Sequence, residues 1–299
     1  MLDFRMETFL TVCQYMNFTR ASEKLHITQP AVSQHIQFLE KHYDTKLFRY
    51  EGKKLYLTGA GELLRNASLT MKHDELSLQN EMRQEKEALQ EIRFGVTRTV
   101  GDALMGKLLE KYLSRYPDTR MHMEVENTSL LLDKLDAGEL DFALVEGFFR
   151  KSEYESLRYS TENYIGVCSS TYLFKKKPEK VEDLFEERLL LREGGSGTRE
   201  VFERFLHSRN LCLEEFKRSL ELGSLQTIKE LTKAGCGITF LYEVAVREEL
   251  ERGELKKIPL ADFQISHDFT FVWRRGSIYR ERYQEIFQRL TEMKKRLES

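Results

Sequence analysis

The chain has 299 residues, 40% of them hydrophobic and 32% charged, with a formal net charge of -2. That balance suits a soluble protein of two or three domains and excludes a disordered chain, and the near-neutral charge excludes unspecific coating of nucleic acid while leaving room for a local basic patch. No apolar run approaches the roughly 18 residues of a membrane span, and Met1-Leu2-Asp3-Phe4-Arg5 lacks the cationic and apolar regions of a secretory signal, so a cytoplasmic protein with no membrane partner is expected.

Phe4, Met6, Phe9, Leu10, Val12 and Cys13 recur at helical spacing and predict a first helix over residues 3 to 15. Thr19 is the expected N-cap of a second helix ending at Leu25, although Ser22 stands where a capping box needs Glu or Gln. Pro30 fits only the first turn of a third helix, which runs to Glu40 with Val32, Ile36 and Leu39 on its inner face. The outer face carries Thr28, Gln29, Ser33, Gln34 and Gln37, short polar groups suited to base edges in a major groove. This reads as helix, tight turn, recognition helix, though an ordinary amphipathic pair with a solvated face has the same pattern. Lys46 to Tyr50 and Lys54 to Thr58 flank Glu51-Gly52-Lys53, predicting a hairpin wing that offers Arg49, Lys53 and Lys54 to phosphates.

Ala21, Leu25, the run Thr28-Gln29-Pro30-Ala31-Val32-Ser33, Ile36, Leu39-Glu40, Leu47-Phe48 and Leu57-Thr58-Gly59-Ala60-Gly61 together resemble the signature of the LysR-type transcriptional regulators. The resemblance implies an α/β protein with an N-terminal winged helix-turn-helix and a long linker helix, followed by a two-lobed, periplasmic-binding-protein-like effector domain. Pro30 and Ala31 then belong to the DNA-facing turn, and the DNA partner is a double-stranded promoter operator. Three positions depart from the signature: Ser22 where alanine is common, Asp44 where glycine usually turns the chain, and Tyr50 where an arginine usually follows Leu-Phe. Aspartate tolerates left-handed backbone, so Asp44 leaves the fold safe; Tyr50 removes a backbone contact that Arg49 or Lys53 would replace. Expected boundaries are 1–59 for the head, 60–90 for the linker and 91–299 for the effector domain, with lobe I at 91–163 and 266–299 and lobe II at 164–265.

Residues 60 to 90 contain no proline and, after Gly61, no glycine, which predicts one long helix. Leu64, Met71 and Leu78 lie seven apart, and Met82 and Leu89 continue after a four-residue step, as in a short coiled-coil seam with a stutter. Packing against the chain's own domains is the alternative. The resemblance favours a homodimer or homotetramer, whose paired heads suit a roughly palindromic operator.

From Ile92 the pattern changes to apolar runs alternating with helical stretches. Ile92 to Val96, Ala103 to Leu113, Met121 to Val125, Leu130 to Leu135 and Phe142 to Val145 come first; Tyr164 to Cys168, Leu189 to Leu191, Phe216 to Leu222 and Ile238 to Leu241 restart it. Such alternation predicts parallel sheets with crossover helices in two subdomains. Phe269 to Trp273 and the amphipathic run Tyr279 to Leu297 return, by resemblance, to complete the first, with a cleft between the lobes.

Open α/β sheets bind ligands beyond the carboxyl ends of their strands. Three junctions there are informative: Gly95 to Gly101 with Thr97, Thr99, Val100 and Gly101; Arg192 to Arg199 with Ser196, Gly197, Thr198 and Arg199; and Gly223 to Thr227 with Ser224, before a helix Ile228 to Ala234. Hydroxyls, glycines and free N–H groups at helix starts suit a small anion, although the same residues serve as ordinary caps and turns. The first two junctions, with Leu144-Val145-Glu146-Gly147, resemble the family branch linked to sulfur-oxyanion sensing, which adds Glu146 to the candidates and implies a sulfur oxyanion, with a small carboxylate second. Arg98 stands where a small polar residue is more usual, either charging the pocket or pointing to solvent.

The function so implied is transcription regulation by linkage: an effector preferring one lobe arrangement shifts the sensor and respaces the DNA-reading heads, with RNA polymerase a further candidate partner. A cysteine-based redox regulator is the competing reading. Peroxide-sensing members carry a reactive cysteine in the glycine-rich segment where this chain has Ser196, and Cys13, Cys168, Cys212 and Cys236 form no CxxC or Cys/His cluster, so they read as buried thiols with no metal or cofactor. A solute-binding protein without catalysis is the reading from another class, opposed by the reading head. Catalysis itself has no motif: His122, His207 and His267 are isolated, and Glu186-Glu187 and Glu248-Glu249 read as solvated helix faces.

Overall fold

The computed structural model describes residues 3–84 and 90–298. Helices α1 (Phe4–Tyr15), α2 (Phe18–Leu25) and α3 (Gln29–His42) form the head. Thr19 does not cap α2. Asn17, two residues earlier, accepts from the N–H groups of Thr19 and Arg20 at 2.9 and 3.0 Å, because an Asn in extended backbone reaches both free amides. Thr28 caps α3, accepting from the N–H of Ala31, with Pro30 in the first turn. Val32, Ile36 and Leu39 pack on Met6, Phe9, Val12 and Ala21, and the wing closes this core with Leu47, Phe48 and Leu55. Its strands β1 (Phe48–Glu51) and β2 (Lys54–Leu57) are antiparallel, turning at Gly52 with φ 62°. Asp44 occupies left-handed backbone at φ 49°.

Helix α4 (Gly59–Gln84) divides its faces between the two uses its sequence allowed. Leu64 packs on the head core, whereas Met71, Leu78 and Met82 are exposed; Leu89, the last position of the predicted seam, lies outside the described residues. The opposite face buries Ser68, Thr70, His73 and Ser77. Ser68 donates to the Leu64 carbonyl of its own helix, whereas Thr70 and His73 reach the effector domain, Thr70 donating to the Arg275 carbonyl at 3.0 Å. Nδ1 of His73 lies 3.1 Å from the Leu135 carbonyl and Nε2 3.0 Å from the Tyr283 hydroxyl. A carbonyl only accepts, so Nδ1 carries the hydrogen, Nε2 accepts from Tyr283, and the ring is neutral; burial lowers its pKa accordingly. Arg274, fully buried, donates to Asp136 at 2.8 Å and to the Asn66 carbonyl at 3.0 Å. Asp74 accepts from the Ser277 hydroxyl and the Ile278 N–H, and Arg65 pairs with Glu153.

The remaining chain runs β3 (Gln90–Thr97), α5 (Arg98–Val100), a π-turn at Gly101–Met105, α6 (Gly106–Arg115), β4 (Thr119–Glu126), α7 (Thr128–Ala137), β5 (Phe142–Val145), β6 (Tyr154–Ser169), β7 (Arg188–Arg192), α8 (Gly197–Ser208), β8 (Arg218–Leu222), α9 (Leu225–Lys233), β9 (Thr239–Tyr242), α10 (Arg247–Glu251), β10 (Leu255–Lys257), β11 (Ile265–Arg274) and α11 (Arg280–Glu298). The main sheet has the order β10-β6-β11-β5-β3-β4, with β9 also on β6. Pairs β3–β4, β3–β5 and β7–β8 are parallel as predicted, but β6 is antiparallel to β11, β9 and β10, so the sheets are mixed rather than parallel. The reason is β11, which returns late in the chain and inserts between β5 and β6. Strand β6 also starts ten residues before the apolar run that announced it, because Glu155, Arg158, Thr161 and Glu162 interrupt the hydrophobic signal along its first half.

Tyr164 is where β6 exchanges partners, from β11 on one side to β9 on the other. Below it, β3, β4, β5 and β11 with α5, α6, α7 and α11 make one lobe, here lobe I. Above it, β7 to β10 with α8 to α10 make lobe II, where Leu189 bridges to Ile238. Stacked Phe94, Phe142 and Phe271 fill lobe I, and Phe202, Phe240 and Phe263 fill lobe II. Of the acidic pairs, Glu248 is exposed on α10 as expected, whereas Glu186 and Glu187 lie in a turn and bind Lys217 and the Tyr172 hydroxyl, and Glu249 is buried against Lys229 at 2.6 Å, since burying that helix end requires pairing its charge.

Candidate functional site

Two of the three predicted junctions meet where the lobes face each other. Thr97 is the N-cap of α5, Ser196 the N-cap of α8, and neither hydroxyl caps its helix. Thr99 and Thr198 follow in the first turns, and Glu146 leaves the end of β5 between them. Oε1 of Glu146 accepts from Thr99 in its own lobe at 3.0 Å and from Thr198 of lobe II at 2.7 Å, while the two threonine hydroxyls are 2.9 Å apart. With both hydroxyls donating to Oε1, the two hydroxyl oxygens are held against each other with no third hydrogen between them. Burial pushes Glu146 above the usual carboxylate range, against the pull of Thr198, Thr99 and the Arg192 guanidinium.

Around this triangle lies a set of buried polar atoms that have no hydrogen-bond partner among the described residues: the hydroxyls of Thr97, Thr128 and Ser196, Oε2 of Glu146 and Nη1 of Arg192. Glu146 is 2% exposed, Arg192 and Ser196 3%. Unmade hydrogen bonds at such burial are expensive, and native interiors hold few, so five in one place mark a site built to be completed. Arg192 and Thr128 were not singled out from sequence. A charged residue closing the apolar run Leu189-Leu190-Leu191 was the available signal for Arg192; Thr128, the first residue of α7, carried none. Nε and Nη2 of Arg192 donate to Glu193 at 2.8 and 3.0 Å.

Other predicted effector residues do something else. Val100 is core, and Gly101 packs against Val96 and Val125 instead of admitting a ligand. Arg199 turns away from the cleft, held by Glu203 at 2.7 Å and Glu221 at 2.6 Å. Ser224 is exposed and caps α9 by accepting from the Thr227 N–H. Both are corrected by nearer partners: a carboxylate one helical turn away and a free helix amide. Arg98 neither enters the cleft nor points to solvent alone; it crosses the lobes, pairing loosely with Glu126 and Glu193 and donating to the Gly223 carbonyl at 3.3 Å.

The lobes are closed on this site. On the lobe II side, Tyr164, Leu190, Arg192, Thr198, Arg199 and Phe240 border a cavity of about 10 Å³, no more than one water requires. Gly197 permits the closure: a Cβ there would lie 2.9 Å from the Glu146 Cγ and from the backbone N and Cα of Gly147. Any ligand beyond water size therefore enters by parting the lobes.

In the head, Thr28, Gln29, Pro30, Gln34 and Gln37 are exposed along the start and outer face of α3, and Ala31 and Ser33 are half-buried. Gln29 donates to the Ser33 hydroxyl at 2.9 Å, which holds both groups ready on one face. Lys53 and Lys54 are exposed at the wing, and Arg49 is paired with Glu51 across one residue, over the Tyr56 ring. Burial pushes the thiols of Cys13 to about 12 and Cys168 to about 11, and Cys212 is also raised, first by its bond to Glu214, so none of these three has thiolate character. No helix among the described residues is long and apolar enough to cross a membrane.

Comparison with known proteins follows the same division. The family model described as "Bacterial regulatory helix-turn-helix protein, lysR family" matches residues 4–62, and "LysR substrate binding domain" matches residues 85–295. A probable RuBisCO transcriptional regulator of Gracilaria tenuistipitata var. liui is 28% identical over 86% of this chain and 84% of its own. The HTH-type transcriptional regulator CysL of Bacillus subtilis is 27% identical over 89% of each. Two solved structures from Corynebacterium glutamicum share the fold: an H2O2-bound OxyR mutant, TM-score 0.61 at 22% identity over 98% of this chain and 92% of that one, and full-length LysG with its effector Arg, TM-score 0.60 at 18% identity over 98% and 99%.

Proposed function

Because the chain belongs to the LysR family of DNA-binding transcription regulators, and is a regulator rather than an enzyme, we propose that it senses a small anionic effector between its lobes and changes its hold on promoter DNA. The observation that carries the reading is the buried, unpaired Nη1 of Arg192 among the unpaired hydroxyls of Thr97, Thr128 and Ser196. A guanidinium and converging hydroxyls are the usual receptors of a carboxylate or oxyanion. The effector touches both lobes, so it favours the closed arrangement by its differential affinity. A guanidinium with hydroxyls receives both candidate classes, a sulfur oxyanion and a small carboxylate. The relatives do not choose between them: the RuBisCO regulator and CysL are almost equally similar.

In the same reading, residues 1–59 form the DNA-binding unit, 60–90 the linker and 91–299 the effector unit, with lobe I at 91–163 and 266–299. The exposed Met71, Leu78 and Met82 pair with a second copy, and the protein works in the cytoplasm as a homodimer or homotetramer. Calorimetric titration of the full chain with sulfite, sulfate, thiosulfate and small carboxylates tests the cleft. Saturable binding weakened by Arg192→Gln, Thr99→Val and Ser196→Ala is expected; a folded protein that binds no anion refutes the effector assignment and leaves DNA binding intact.

A further inference from the structure

An anion alone would leave half of the site unanswered. Arg192 offers positive charge through Nη1, but Glu146 offers an acceptor through Oε2, equally buried and equally without a partner among the described residues. The two groups are near enough for the Arg192 charge to act on the Glu146 carboxyl, and they sit on opposite lobes. Glu146 also cannot swing out of the way: its Oε1 is fixed by Thr99 and Thr198, and its Cγ is backed by Gly197. A buried, unpaired acceptor on one lobe and a buried, unpaired guanidinium N–H on the other, near enough for their charges to interact, recognise a molecule that carries both charges. Building on the effector cleft proposed above, we infer that the effector is a small zwitterion, an α-amino acid, whose carboxylate is taken by Arg192 with the Ser196 and Thr97 hydroxyls and whose ammonium is taken by Glu146.

The ligand then bridges the lobes in a fixed sense, ammonium toward lobe I and carboxylate toward lobe II. A simple carboxylate leaves Oε2 unpaired, so it binds more weakly than its amino counterpart.

The test is calorimetric titration of the full-length protein with the twenty L-amino acids, with propionate, succinate and glutarate as the deaminated forms of alanine, aspartate and glutamate, and with sulfate and sulfite. At least one amino acid is expected to bind, and its deaminated form to bind about 10- to 100-fold more weakly, the weight of a charge-assisted hydrogen bond lost in a buried site. Glu146→Gln, checked for folding by circular dichroism, should erase most of that difference while keeping the carboxylate's own affinity; the wild-type comparison stands even if this variant does not fold. Deaminated acids or sulfate binding as tightly as every amino acid would overturn the zwitterion and keep the anion cleft. Absence of binding by every compound would overturn both.

Discussion

Gly197→Ala is the substitution whose effect follows most directly from the closed cleft. Gly197 opens α8 in ordinary helical backbone, so alanine brings no conformational strain, and propensity alone would favour it by up to ~1 kcal/mol. The added Cβ, however, meets Glu146 Cγ and the Gly147 backbone at 2.9 Å, against about 3.5–4.0 Å for carbon atoms in comfortable contact. The obstacle is main chain of the opposite lobe and cannot rotate away; the lobes must part by roughly 0.6 Å or more, given that contact range. Overpacking of this kind costs about 1–3 kcal/mol, which moves a closed-to-open equilibrium by about 5- to 150-fold. Hydrogen-exchange mass spectrometry reads this without a ligand: peptides covering Leu144 to Phe149 and Gly195 to Phe202 should exchange faster in the variant. Gly194→Ala, with nothing within 4 Å of its added Cβ, is the matched control. If Gly197→Ala exchanges like Gly194→Ala and binds effector as the wild type does, the lobes do not close as described.

In the head, Gln29→Ala, Ser33→Ala and Gln34→Ala should each lower the preference for operator over scrambled DNA by about 1–3 kcal/mol where the side chain makes a two-point base contact, measured by fluorescence anisotropy at one salt concentration; an unchanged ratio in all three would move the reading face elsewhere. Arg49→Ala and Lys53→Ala should weaken both DNAs together and lower the salt slope by about one each. Arg274→Met should destabilise by about 3–5 kcal/mol in denaturant titration, because it strands Asp136, and Asp136→Asn in the same chain should recover part of the loss; equal stability of the single and double variants would deny the pair its role. The depressed pKa of His73 sets a sign as well. The unfolded chain takes up a proton near the ordinary value of 6.5 that the buried ring refuses, so stability is full above that value and falls as pH drops toward the lower folded one. Melting temperature followed from pH 7.5 to 5 should decline less steeply in His73→Gln than in the wild type.

Where a pattern is local, the chain announced it. Pro30, the face Val32-Ile36-Leu39 and the turn at Gly52 define the reading head within some forty residues, because helix starts, helix faces and tight turns are each set by neighbours in sequence. The first half of β6 was hidden for the opposite reason: with one face wetted, its Arg158, Thr161 and Glu162 carry no strand signal until β11 arrives from a hundred residues away to pair with them. The site shows the same contrast. Thr97, Thr99, Ser196 and Thr198 were visible as hydroxyls at helix starts, whereas Arg199 and Ser224 had the right chemistry but found partners that only the fold supplies, Glu221 and the Thr227 amide. Arg192 and Thr128 became visible only through what they lack.

The polar face of α4 has a mechanical corollary. The hydrogen bonds and ion pairs described between this helix and the effector domain end on Leu135, Asp136, Glu153, Arg274, Arg275, Ser277, Ile278 and Tyr283, all of them in lobe I. In the proposed function, lobe I and the helix act as one stator and lobe II as the rotor, with the ribbon of β6 running through both. When the rotor swings over its ligand, no anchor between helix and stator has to break, so the helix of the same chain does not feel the swing. On that proposal the signal leaves the molecule before it reaches the DNA, by the surface lobe II presents to a neighbouring copy, and a solitary chain binds its effector in silence.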